Sequence, residues 1–270
     1  MFDSGFGGLT VARAVIDLLP AEDLVYIGDT GRYPYGPKEP ADVRRFAHEL
    51  AWSLVKDHDV KAIIVACNTA AAAGLDELRD SLPVPVLDVI GPGASALVTA
   101  TASGRAAVIG TVGTVASGSY VYAVEAAADR AGRDVDLTSA ACPGFVEFVE
   151  RGIVGGDEVT VLAERLLAPV LEADVDALLL GCTHYPFLAG VIGAVMGRDV
   201  TLVSSADETA FAARRTLGEL GLLCDLVHFD HAIGVHTFRS SGDVHVFREL
   251  GGRLLGPELN HTEPWAPPAS

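Results

Sequence analysis

Short apolar runs alternate with helix-patterned segments almost from end to end, and this alternation restricts the fold more than any other feature of the chain. Strands are expected at 23–29, 61–67, 84–90, 105–111, 135–141, 177–182 and 200–206, in runs such as "DLVYIGD", "KAIIVAC" and "ALLLGC". Between them lie segments such as "DVRRFAHELAWSLV" (42–55) and "VTVLAERLLAPVLEA" (159–173), with apolar residues at helical spacing. Strands alternating with helices build parallel sheets covered on both faces, so the chain is expected to be an α/β protein.

The alternation also repeats. "DSGFGGLTVARAV" (3–15) parallels "GTVGTVASGSYVYAV" (110–124), "YIGDTGRYPYG" (26–36) parallels "TSAACPGFVEF" (138–148), and "VACNT" (65–69) parallels "LGCTH" (180–184). Matching order at a period of roughly 110 residues suggests a duplicated α/β unit. The expected architecture is two similar parallel-sheet domains related by pseudo-twofold symmetry, with the active site in the cleft between them. Residues 1–93 plus 207–270 would form the first domain and 94–206 the second. Ligands of open α/β sheets bind at the carboxyl ends of the strands. "DVHVFRELGGRLLG" (243–256) is expected as a C-terminal helix on the first domain, and the proline-rich residues 260–270 as a disordered tail.

Composition removes several functions. The 36 acidic residues against 19 basic give a formal charge of −17, which repels phosphate backbones and anionic membranes, so direct nucleic-acid binding is not expected. No apolar run approaches the roughly 18 residues of a membrane span, and "MFDSGFGGLT" lacks a signal-peptide pattern, so the cytoplasm is expected. Four cysteines without an export signal do not suggest a disulfide framework. Cys182 and His184 stand close in "CTH", but no second ligand pair accompanies them, and no metal site is expected. Pyridoxal phosphate would need a lysine. Lys38, Lys56 and Lys61 are the only three, none at the carboxyl end of a strand, so no cofactor is expected.

Cys67 and Cys182 close equivalent strands 115 positions apart. A lone cysteine at a strand end is more often packing than chemistry. The matched pair, followed by Asn-Thr and Thr-His, allows another reading. Each sulfur would lie near a helix N-terminus, which favours a thiolate. A thiolate on one face of a carbon acid and a thiol on the other can remove a proton from one side and return one to the other. Donors beside them would hold the developing enolate. Asp3 and Ser4 either cap the first helix or serve the site, Asp3 by orienting a thiol or binding an ammonium. "PYG" (34–36) is a turn or a tyrosine lid. His184 is a buried histidine or the acid partner of Cys182, and Glu150 is most simply a solvated helix residue. Cys142 and Cys224 lack polar neighbours and read as structural.

At these motifs the chain resembles the cofactor-independent aspartate/glutamate racemase family, glutamate racemases in particular. The resemblance rests on "FDSGFGGLTV", "YIGDTGRYPYGPK", "ACNTA", "IGTVGTVASGSY", "ACPGFVEFVE" and "GCTHYPFL", in family order through about residue 206. It implies racemisation of L-glutamate to D-glutamate for peptidoglycan synthesis, without a cofactor. Cys67 and Cys182 match the two bases, Asp3 and His184 the groups assisting them, and Glu150 an acidic residue near the second cysteine. Ser4, Tyr35, Gly36, Asn68, Thr69 and Thr183 match substrate-contacting positions, to which Asp3, Thr111, Thr114 and His184 are added. A homodimer is implied, and for some members inhibition of DNA gyrase. The alternatives are a related racemase acting on aspartate or another small acid, and a non-catalytic binding protein such as a gyrase inhibitor or an inactive truncated form. One departure stands out: the family's first apolar strand leads into the aspartate, whereas here only Met1 and Phe2 precede it. Either the start is set too late or the chain is truncated. The expectation is a largely missing first strand, an unanchored Asp3, and lower stability and activity than an upstream-extended chain.

Overall fold

The computed structural model describes residues 1–224 and 233–267. Among them the strands are β1 (Phe2–Asp3), β2 (Leu24–Gly28), β3 (Ile63–Val65), β4 (Val86–Asp88), β5 (Arg105–Gly110), β6 (Asp136–Ala141), β7 (Ala177–Gly181), β8 (Thr201–Ser204), β9 (His236–Ser240) and β10 (Glu263–Pro264). They form a six-stranded sheet of order β10-β9-β2-β1-β3-β4 and a four-stranded sheet of order β6-β5-β7-β8. Every pairing is parallel. Two compact units result, Met1–Val89 with Ala206–Ser270, and Ile90–Ser205. Residues 90–93, expected in the first domain, begin the helix Ile90–Ala100 and go with the second unit, where Gly93 faces Leu179 of β7.

Both units share one strand order: β2-β1-β3-β4 in the first matches β6-β5-β7-β8 in the second. In each, the chain runs to one side of the first strand and then crosses to the other. That reversal lies between β1 and β3, and again between β5 and β7, where the carboxyl ends of neighbouring strands diverge. The cysteine turns follow β3 and β7.

The apolar pattern explains the packing. β3 and β7 are buried along their whole length, as strands covered on both faces must be. In the first unit, Leu9, Val11, Ala12, Val15 and Ile16 of helix Leu9–Leu18 join Tyr26, Phe238 and Phe247 in one core. In the second, Val159, Ala163, Leu167 and Val170 form one face of helix Asp157–Glu172 and cluster with Leu178 and Leu180.

The N-terminus departs from expectation. β1 is only two residues long, yet it is tied on both sides. Ile27 N donates to Met1 O at 3.1 Å, Asp29 N to Asp3 O at 3.0 Å, and Ala66 N to Phe2 O at 2.9 Å. Asp3 is therefore anchored and fully buried. Beyond it a cavity of about 380 Å³ opens at the amino ends of the strands, lined by Met1, Leu24, Val25, Ile64, Leu87 and Cys224 among others. None of the expected site residues lines it, and it lies at the wrong end of the sheet for the cysteine chemistry.

The C-terminal stretch is not a tail through residue 267. β10 extends the sheet beside β9, and Trp265 is only 6% exposed. Its backbone N–H donates to Ser240 O at 2.8 Å and its indole N–H to Ser53 Oγ at 2.9 Å. One indole with a hydrogen-bond partner outweighs the disorder-favouring composition around it. Residues 268–270 lie outside the described residues. Among the described residues no helix is long and apolar enough to cross a membrane.

Candidate active site

In the first unit β1 ends on Asp3. Its Oδ2 accepts the Gly5 N–H at 3.0 Å, while Oδ1 is buried with no protein partner among the described residues. The segment after it turns tightly because position 8 is glycine: a Cβ there would stand 2.6 Å from Asp3 Cβ and 3.0 Å from Ala66 Cβ. That close approach brings the Asp3–Ser4 turn against the end of β3.

Cys67 follows that end and is nearly fully buried. It N-caps the helix Asn68–Ser81, its sulfur accepting the Ala70 N–H at 3.4 Å, and its thiol donates to Ser4 Oγ at 3.7 Å. A helix N-terminus favours a thiolate, but here burial pushes the thiol up to about 12, with the Asp3 charge adding to it. The hydrogen bonds with Ala70 and Ser4 pull the other way without compensating. Cys67 thus rests as a thiol, contrary to the helix-dipole expectation. Asn68 and Thr69 are buried in the first helical turn.

Tyr35 is 1% exposed, its ring 5.5 Å from that of Phe46, and Gly36 beside it is half-buried. The Tyr35 hydroxyl donates to Asp29. Burial, then the Asp29 charge and hydrogen bond, then the nearby Cys67 drive the phenol well above its ordinary value. Asp29 was not among the residues read from sequence. It is fully buried, and a carboxylate in "IGDTG" carries no pattern that announces burial.

In the second unit Thr111 follows β5, its Oγ1 accepting the Thr114 N–H at 3.2 Å and lying 3.0 Å from Thr114 Oγ1. β7 ends on Gly181, where a Cβ would stand 2.8 Å from Ile109 O, so the strand end packs against β5 as only glycine allows. Cys182 comes next and is buried. Its sulfur lies 3.9 Å from His184 Nδ1, and Thr183 Oγ1 lies 3.5 Å from the same nitrogen. His184 Nε2 meets Glu150 Oε1 at 2.6 Å. Glu150 ends the helix Phe145–Glu150 and is an ion-pair partner rather than a solvated helix residue. Burial works against a charge on His184, but its bonds to Cys182 and Glu150 outweigh burial and hold it at about 10, as the imidazolium.

The remaining cysteines differ. Cys142 is buried in the second core, pushed up to about 12 by burial and then by Cys182, and its carbonyl accepts the Tyr185 hydroxyl at 3.0 Å. Cys224 is half-buried, its N–H donating to Glu22 Oε1 at 2.7 Å. No group of three or more metal-ligating side chains occurs among the described residues.

Each unit thus presents a buried cysteine at the carboxyl end of its third strand, with Ser4 beside Cys67 and Thr183 and His184 beside Cys182. Residues 8–213 match the family model described as Asp/Glu/Hydantoin racemase. The chain is 51% identical over 259 residues to a glutamate racemase of Parafrankia sp. (strain EAN1pec), covering 96% of this chain and 91% of that one. The crystal structure of a glutamate racemase isoform from Bacillus anthracis superposes with a TM-score of 0.88 at 39% identity, covering 98% of this chain and 95% of that one. The glutamate racemase of Francisella tularensis subsp. tularensis SCHU S4, solved in complex with D-glutamate, gives 0.87 at 32% identity, covering 98% and 96%. The chain belongs to the Asp/Glu/hydantoin racemase family of isomerases.

Proposed function

We propose that this chain interconverts L- and D-glutamate by cofactor-independent 1,1-proton transfer, with Cys67 and Cys182 as the two bases on opposite faces of the α-carbon. The observation that carries the reading is the pair of buried cysteines at equivalent strand ends of two units with one topology, each with a different hydrogen-bonding partner, Ser4 at Cys67 and His184 at Cys182. One thiolate removes the α-proton and the opposite thiol delivers its own, so the two sulfurs exchange protonation states in each turnover. His184, cationic and tied to Glu150, stabilises negative charge on Cys182. The thiol at Cys67 faces Ser4 and Asp3. Asp3 Oδ1, buried with no protein partner among the described residues, is suited to the substrate ammonium or to a proton passing at Cys67.

The enolate that forms needs donors rather than full positive charges. Ser4, Asn68, Thr69, Thr111, Thr114 and Thr183 supply them, with the Tyr35–Gly36 main chain, because the Tyr35 phenol is committed to Asp29. Relatives named glutamate racemase, one solved with D-glutamate, support glutamate as the substrate. The same reading assigns the chain to D-glutamate supply for peptidoglycan, in the cytoplasm, as a homodimer of two-unit chains.

Proton NMR with L-glutamate in deuterated water, with polarimetry in parallel, tests this. Loss of the α-proton signal together with optical rotation is expected. No exchange with glutamate but exchange with aspartate would overturn the substrate and leave a sister racemase.

A further inference from the structure

The turn that carries Tyr35 and Gly36 is held from behind by a buried polar lattice that the proton transfer itself does not use. Asp29 closes β2 and is fully buried. A carboxylate so placed must be paired or it destabilises the fold, and Asp29 is paired three ways. Its Oδ2 accepts from the Tyr35 hydroxyl and from Arg32 Nε at 2.8 Å, and its Oδ1 accepts from Ser241 Oγ at 2.6 Å. Two of these donors sit on the turn. The third comes from the far end of the chain, 212 residues away.

The link to residues 240–242 is not a single bond. Ser241 Oγ also accepts the Gly31 N–H at 2.8 Å, and Ser241 N donates to Gly28 O at 3.1 Å. Thr30 Oγ1 meets Ser240 Oγ at 2.6 Å and accepts the Gly242 N–H at 3.1 Å. The two segments approach so closely that a Cβ on Gly31 would stand 2.8 Å from Ser241 O. Arg32 completes the lattice, bonded to Glu49 and lying 4.1 Å over the Phe46 ring. Phe46 is the ring against which Tyr35 packs.

We infer that Asp29 and Ser241 are positioning residues for the Tyr35–Gly36 turn, so that the 240–242 loop is part of the scaffold of the substrate site without touching substrate. The inference rests on the racemase reading for its effect on glutamate. Its physical ground is separate. A phenol committed to Asp29 cannot also donate to substrate, so the turn meets the substrate through its main chain. Main-chain placement is set by the side chains behind it, and those converge on one carboxylate.

Ser241→Ala removes the link to the loop while leaving Asp29, Arg32 and Tyr35 in place. Ser241→Thr keeps the hydroxyl and serves as the rescue. Hydrogen exchange by mass spectrometry over residues 29–38 reads the turn directly, and steady-state kinetics with glutamate reads its consequence. In Ser241→Ala, exchange over 31–38 is expected to speed up about tenfold, and KM to rise about tenfold with kcat within about threefold, as loss of a hydrogen bond to a charged group predicts. Ser241→Thr is expected to sit near wild type in both. Unchanged exchange overturns the inference, and so does faster exchange with an unchanged KM, which is what a merely structural bond would give. If wild-type protein fails to exchange the α-proton of glutamate, the racemase reading falls, and the exchange data alone then decide whether Ser241 positions the turn.

Discussion

Cys67 and Cys182 stand at equivalent strand ends in unlike surroundings. Cys67 faces a hydroxyl and a carboxylate, whereas Cys182 faces an imidazolium backed by a second carboxylate. Both are required if protons cross from one face to the other, so Cys67→Ala and Cys182→Ala should each lower kcat by about 10³-fold or more, with the melting temperature little changed. Racemisation at wild-type rate in either variant would remove the two-base assignment. The protonation states also set a pH dependence. His184 is raised from 6.5 to about 10, so its contribution to stability is complete below pH 6.5 and is lost as pH rises through 10. Cys67, raised from 9.0 to about 12, acts in the same direction at higher pH. The urea midpoint should therefore fall between pH 7 and pH 10, and Glu150→Gln should flatten that fall by removing the partner at 2.6 Å. An equally steep fall in Glu150→Gln would show that the pair does not hold the proton. The cysteines were legible because their motifs repeat. Glu150 was legible only through family resemblance, since its partner lies 34 residues away and no spacing rule joins the end of one helix to the turn after another strand.

Elements differed in legibility for a related reason. β3 and β7 are covered on both faces, so "IIV" and "ALLLG" are unbroken apolar runs that sequence alone identifies. β9, "HTFRS", buries only Phe238 and Ser240, and its polar positions hide the strand. β10 is shorter still, and its Pro264 is tolerated because the strand lies at the sheet edge. What fixes β10 is not its own pattern but Trp265, whose indole reaches Ser53 on helix Pro40–His58. A side chain that depends on a partner 212 positions away leaves no local signal. Trp265→Ala should accordingly cost about 3 kcal/mol, in the range for emptying a buried aromatic site. Val246→Ala, at a position 52% exposed, should stay within about 0.5 kcal/mol. Urea denaturation of the two variants decides between an integral strand and a dispensable tail. No shift in the midpoint of Trp265→Ala would restore the tail.

At the scale of the whole molecule, the duplication read from three pairs of motifs corresponds to one strand order used twice, with β9 and β10 added to the first unit. Within each unit, close approaches of backbone need glycine, as at Gly8 in the first and Gly181 in the second. Charge is the other property of the whole chain. At −17 the molecule repels its proposed substrate, since either enantiomer of glutamate carries one net negative charge at neutral pH. Hydroxyls and amides in the site act over hydrogen-bond distances and are little affected by salt, whereas the distant field is screened beyond about 10 Å at 0.1 M. Raising sodium chloride from about 10 mM to about 150 mM should therefore lower KM for glutamate roughly two- to threefold while leaving kcat unchanged. Sucrose at equal osmolarity should leave KM where it was, which separates screening from a general effect of solute on burial. A KM that rises with salt would mean that attraction to a local positive group, His184 foremost, outweighs the field of the 36 acidic side chains, and that the acidic surface does not govern substrate capture.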